Sequence, residues 1–313
     1  MELKDVIKSP FSNYDLVVYF GCGLFVVPFV NRYVVEPLNL TWPTFKILGA
    51  VPFTAEVISA LSLLMFVYII GHILAYVSSQ LIEKTIDRFL GKVSTAIIFL
   101  TIGRAGLRNG RVRKHIYHQF LKIREDRAII ASLFRGIFHA PALISYSVIG
   151  FLGIFGYYNS RLSIHTVAAL ARGISKLGIP RLRLSPNMPW FKPVEYYVIN
   201  RVPEAVPRMY NYLVIGGLFR SLSAIFLFSM WLVLAHLACW WFTGVWRLEP
   251  LGGMTPGVAA IWEFVSLQLL FIFSLFSYIK FQRRYAEEAI FAFIFEPGSE
   301  LTHKPRQPRV ASV

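Results

Sequence analysis

The chain has 313 residues, of which 56% are apolar and only 16% charged, with a mean hydropathy of +0.55 and a net charge of +15. This balance excludes an ordinary soluble domain and a disordered chain; it points to a membrane protein for which an anionic surface or ligand matters. Two cysteines, Cys22 and Cys239, both inside apolar runs, exclude a disulfide framework and leave a zinc site without its ligands.

The chain opens with MELKDVIKSPFSNYDL, which carries both charge signs. The apolar run that follows has no small-residue cleavage pattern, so a retained first helix is expected and not a signal peptide. A membrane helix needs about 20 mostly apolar residues. Runs 14–34, 48–77, 213–243 and 258–279 qualify.

The second run continues through VSSQLIEKTIDRFLG with apolar residues at helical spacing, and Lys84 and Asp87 form an i,i+3 pair. Pro52 suits its first turn. One helix from Pro52 to Leu90 would be roughly 60 Å long, and a bilayer core takes ~30 Å of that. The remainder is expected to be a stalk.

Residues 93–107 are apolar and broken by Gly103 and Gly106. Residues 111–135 predict a helix, with Ile116, Phe120, Ile123, Ile130 and Phe134 at helical spacing. Run 140–158, APALISYSVIGFLGIFGYY, is short, rich in Gly and Ser, and carries Pro141. Residues 163–177 predict an amphipathic helix, capped by Ser163 and ended by Gly178. Five prolines between 180 and 203 argue against one long helix there, so an ordered extended segment, or one or two short strands near VEYYVIN, is expected. After the fourth run, KFQRRYAEEAIFAFIF stays helical and amphipathic until Glu296-Pro297-Gly298, and a polar tail follows.

Charge sets the expected sidedness. From Lys84 to Tyr212 there are twenty Lys or Arg against five Asp or Glu, whereas loops 35–47 and 244–257 carry one basic residue each. Every basic cluster lies on one side if run 140–158 does not cross. The expectation is therefore an all-α membrane protein with four transmembrane helices and a basic, mainly helical cytoplasmic domain inserted between helices two and three. Both termini are expected in the cytoplasm. The parts are 1–92 (two spans and stalk), 93–212 (basic domain), 213–298 (two spans and extension) and 299–313 (flexible tail). Run 140–158 is then a buried core helix, an interfacial helix or a re-entrant segment.

No Asp or Glu occurs from Arg127 to Val194, a window with eight Lys or Arg, and Arg outnumbers Lys fourteen to six between Lys84 and Tyr212. A surface free of carboxylates keeps its positive field, and Arg pairs with phosphate through two parallel donors. Interleaved aromatics such as Tyr157, Tyr158, Trp190 and Phe191 add stacking surfaces of the kind found in single-strand grooves. The candidate phosphate or oligonucleotide contacts are Arg104, Arg108, Arg111, Arg113, Lys122, Arg124, Arg135, Arg172, Lys176, Arg181 and Arg183. Positive-inside sorting and contact with anionic lipid headgroups are the blander explanation of a basic domain and are sufficient for it.

Within the spans, Glu56, Glu263, Ser59 and His72 are candidates to line a pore or set its selectivity. Against that, either glutamate can pair with Arg32, Lys46 or Arg247, and His72 and His236 can hydrogen-bond between helices. Arg220 is expected to snorkel, and Trp240, Trp241, Trp246 and Trp262 to form an interfacial belt. No hydrolase, P-loop or metalloprotease motif occurs, so no enzyme, metal or cofactor is expected.

Size, topology and the basic domain together resemble bacterial anti-phage membrane effectors of the Hailong type, across the whole chain. The resemblance implies a tetrameric ion channel, held shut by a single-stranded deoxyadenosine oligomer from a partner nucleotidyltransferase, whose opening depolarises the cell. From the residues alone, an oligonucleotide- or nucleotide-gated homo-oligomeric channel stands beside two rivals. One is a small-solute transporter using Glu56, His72 and Glu263; the other is an anchor that recruits a soluble partner.

Overall fold

The computed structural model describes residues 15–40, 52–89, 93–94, 98, 136–154, 162–177, 179, 184, 190–246, 248 and 254–295. The architecture is helical, and no strand occurs among the described residues. Among the described residues, four helices are long and apolar enough to cross a membrane: Asp15–Val35, Ala60–Asp87, Val206–Thr243 and Pro256–Ile294.

Helix α1, Asp15–Val35, is α-helical over Cys22–Val30 and π-helical over Asp15–Gly21 and Asn31–Val35. Pro28 lies inside it and has no amide donor to give to the ladder. Helix α2 is uninterrupted over 52–89, as the sequence pattern requires. It is α-helical over Pro52–Ser78 and Lys84–Phe89, with a π-helical stretch at Ser79–Glu83 between them.

Two glycines set the α1–α2 contact. A Cβ on Gly23 would run into the Val67 carbonyl, and one on Gly71 into the Tyr19 carbonyl. The backbones therefore meet directly at both places, as small residues allow between membrane helices. Since 19 meets 71 and 23 meets 67, the two helices are antiparallel.

A 3-10 turn at Ala140–Ala142 leads into helix α3, Leu143–Ile154. At twelve residues, α3 spans roughly 18 Å, short of a ~30 Å hydrocarbon core. Helix α4, Ile164–Lys176, forms where the sequence predicts it, and the Ser163 hydroxyl accepts from the Thr166 amide at 3.0 Å. Helix α5, Phe191–Arg201, replaces the expected strands. Trp190, Val194 and Val198 are buried at i,i+4 spacing, so helical periodicity overrides the β-branched composition. Pro193 sits in its first turn, where no amide is needed, and Pro203 follows its end. Helix α6, Val206–Thr243, starts seven residues before the expected apolar run, with Pro207 in its first turn. Helix α7, Pro256–Ile294, includes the expected amphipathic extension.

The chain divides into two compact units. Unit 1 is residues 1–90, 122–158 and 213–281; unit 2 is 91–121, 159–212 and 282–313. These boundaries differ from the linear ones, because 122–158 belongs with unit 1 and the end of α7 with unit 2. In unit 1, Leu227 and Met230 of α6 and Phe271 and Leu275 of α7 are fully buried with Cys22 and Ile82. In unit 2, Leu170 and Ile174 of α4 are buried with Val194 and Val198 of α5 and Ile290 and Phe293 of α7. Gly173 lets α4 approach that end of α7, because a Cβ there would sit 2.6 Å from the Phe293 ring.

Candidate ligand surface and membrane-embedded polar groups

Of the eleven basic candidates, Arg172 and Lys176 are described. Both are exposed on α4, one turn apart, while Val167, Leu170 and Ile174 fill the opposite face. Amphipathicity fixes this orientation: burying the apolar stripe forces both cations outward. Arg104, Arg108, Arg111, Arg113, Lys122, Arg124, Arg135, Arg181 and Arg183 lie outside the described residues. The other cations of unit 2 near acids are paired. Lys192 meets Glu195 at 2.9 Å, Arg208 meets Glu288 at 2.7 Å, and Arg283 and Arg284 share Glu287 at 2.9 and 3.5 Å.

In unit 1 the polar groups fall into three sets. The first lies near the ends of α6 and α7 that residues 244–255 join. Arg32 of α1 donates to Glu263 of α7 at 2.7 Å, and the Glu263 side chain is only 6% exposed. Arg32 is one of the three cations the sequence offers Glu263. His236 Nε2 lies 2.8 Å from the Tyr33 carbonyl, so it ties α6 to α1. Trp241 and Trp262 are exposed there, and Trp240 packs edge-on against Trp246 at 6.2 Å.

The second set surrounds Arg220. Its side chain is 13% exposed and pairs with Glu83 at the end of the π-helical stretch of α2. It also reaches the Ala75 carbonyl at 3.5 Å. Arg220 therefore does not snorkel outward; an acid on the neighbouring helix offers an ionic partner that hydrocarbon cannot. Ser78 and Ser221 share a hydrogen bond of 3.3 Å in the same layer, and Ser223 and Ser274 share one of 2.9 Å between α6 and α7.

The third set holds residues 136–149. Trp231 Nε1 donates to the Phe138 carbonyl at 2.7 Å, and Gln268 Nε2 donates to the Pro141 carbonyl. Ser145 Oγ donates to the Gln268 backbone carbonyl at 3.4 Å. His139, 4% exposed, is hydrogen-bonded on both ring nitrogens: Nε2 with Thr85 at 3.1 Å and Nδ1 with Tyr146 at 2.9 Å. Apolar patterning could not reveal His139, Thr85 or Gln268. The usable signal was Pro141 inside an apolar run, together with an amide side chain in the middle of another.

Among the pore candidates, Glu56 and Ser59 lie in the first turns of α2. His72 is exposed and stacks on Tyr19 of α1, with ring centroids 3.6 Å apart, and meets Tyr68 edge-on at 4.5 Å. The structure thus does not gather Glu263 and His72 into one site: Glu263 belongs to the α1–α7 ion pair and His72 to the α1–α2 seam.

No protein-family model matches the chain, no curated protein matches it, and no solved structure matches it.

Proposed function

We propose that the protein is a bacterial inner-membrane ion channel built from several copies of the chain, gated by a phosphate-bearing anion. That ligand is a nucleotide or a short single-stranded oligonucleotide bound to basic residues on the cytoplasmic side. The observation that carries the reading is the pair of exposed cations, Arg172 and Lys176, inside a window without a single acid. Neighbouring carboxylates neutralise Lys192, Arg208, Arg283 and Arg284. Among the described residues, no ion pair engages Arg172 or Lys176. Assembly from several copies is supported by α1 and α2. Only 22% of the most apolar window of each is buried, against 50% in α6 and 44% in α7. The resemblance to Hailong-type effectors extends the proposal to a tetramer, a partner nucleotidyltransferase and depolarisation of an infected cell.

The test uses purified protein and a fluorescent deoxyadenosine oligomer. Replacing Arg172, Arg181 and Arg183 together by Ala should weaken binding and flatten its dependence on salt, by about 0.7 of a unit of log–log slope for each phosphate no longer neutralised. Unchanged binding rejects this surface. In a planar bilayer the oligomer should change the open probability. Solute uptake by proteoliposomes without ohmic current would establish a transporter in place of a channel.

A further inference from the structure

We propose that copies of the chain meet along one stripe of α2, formed by Met65, Ile69, His72 and Tyr76, with the His72 imidazoles hydrogen-bonded across the contact. This contact rests on the assembly of several copies proposed above, and names the surface through which it forms. Helical periodicity puts the four residues together. Met65, Ile69 and Tyr76 all fall within roughly 60° of His72 around the helix axis. Their exposures are 61%, 51% and 68%, and His72 is exposed between them. Val67, Leu74 and Ser78 point away from the stripe and are buried.

His72 is what makes this stripe more than a lipid-facing surface. The apolar span runs over Ala60–Asp87, which puts His72 roughly 18 Å from one end and 22 Å from the other. At that depth in a ~30 Å hydrocarbon core the side chain is too short to reach either interface. Its ring is also pinned, stacked on Tyr19 at 3.6 Å and edge-on to Tyr68 at 4.5 Å. Both contacts use the ring faces and edges; among the described residues no hydrogen bond engages either nitrogen. Hydrocarbon supplies neither a donor nor an acceptor, so ionisable side chains at this depth face protein or water.

A second copy of the chain fits this stripe. A neutral imidazole carries one donor and one acceptor, so two copies of the same ring satisfy each other. Symmetry about an axis normal to the membrane delivers the partner ring at the same depth. Polar side chains join membrane helices in this way, where apolar packing alone gives little preference over lipid. The surface is available, since only 22% of the apolar window of α2 is buried within one chain.

Two measurements test the proposal. In a Cys239→Ser background, with Cys22 buried, Met65→Cys, Tyr76→Cys and Leu63→Cys are each oxidised with iodine in native membranes. Leu63 is also exposed, at 51%, but lies nine residues from His72 and so on the opposite side of the helix. Disulfide-linked dimers are expected from Met65→Cys and Tyr76→Cys, forming several-fold faster than from Leu63→Cys. Equal rates at all three positions, or no dimer at positions 65 and 76, overturn the contact. For the imidazole bond, differently labelled proteins are mixed in detergent and subunit exchange is followed. His72→Leu should exchange several-fold faster than wild type, whereas His72→Gln, which keeps a donor and an acceptor, should stay close to it. A Leu variant no faster than wild type, or a Gln variant as fast as the Leu variant, overturns the role of His72. A chain that a general cross-linker traps only as a monomer defeats the assembly itself. An oligomer that lacks these disulfides defeats this contact alone, so the two failures are distinguishable.

Discussion

Glu263 shows what a charge inside a membrane helix requires. Its side chain is 6% exposed and depends on Arg32 at 2.7 Å. An ion pair of this kind is weak evidence of net stability, but removing one partner strands the other. Arg32→Ala should therefore destabilise the protein by about 3 kcal/mol, read as a lowered Tm in detergent. Adding Glu263→Gln to that variant should recover part of the loss, because the stranded charge is gone. If the double variant is no more stable than the single one, the pair is not the source of the effect. At this scale the sequence was legible only as a choice: Arg32, Lys46 and Arg247 were equal candidates until α1 was placed against α7. Arg220 was misread for the same reason, since hydropathy cannot show that Glu83 waits on the neighbouring helix.

Elements were legible where one periodicity dominated. The spans, the continuation of α2 and the capped α4 follow from apolar spacing and local caps. The α5 stretch was misread because prolines and β-branched residues outweighed three apolar positions spaced four apart. Two predictions belong here. Ser163→Ala removes the side chain that caps α4 and should cost about 1 kcal/mol, seen as faster hydrogen exchange in the first turn of that helix. Gly71→Ala places a methyl group against the Tyr19 backbone. Backbone cannot step aside as a side-chain tip can, so a loss of about 1–3 kcal/mol is expected. Gly173→Ala meets only the Phe293 ring and should cost less. Equal losses from the two substitutions, compared by thermal unfolding, would contradict the backbone-contact account.

For the whole molecule, α1 and α2 are the least buried of the four long apolar helices among the described residues, and the channel reading requires copies of the chain to cover part of their exposed surface. Chemical cross-linking in native membranes should trap species larger than one chain; a monomer at every cross-linker concentration would count against the assembly. The basic surface was only partly legible. Composition marked the acid-free window, but the folding of a single helix decided that Arg172 and Lys176 point outward. The close glycine contact also has a consequence for biogenesis. Gly23 and Gly71 lie within the first ninety residues, and chains emerge from the ribosome N-terminus first. The α1–α2 hairpin can thus lock in the translocon before Arg220 or Glu263 has been synthesised, so that the charged groups arrive at a finished template. A nascent chain halted after Leu90 should already form a disulfide between cysteines placed at positions 19 and 71; absence of that cross-link would mean that the hairpin waits for α6.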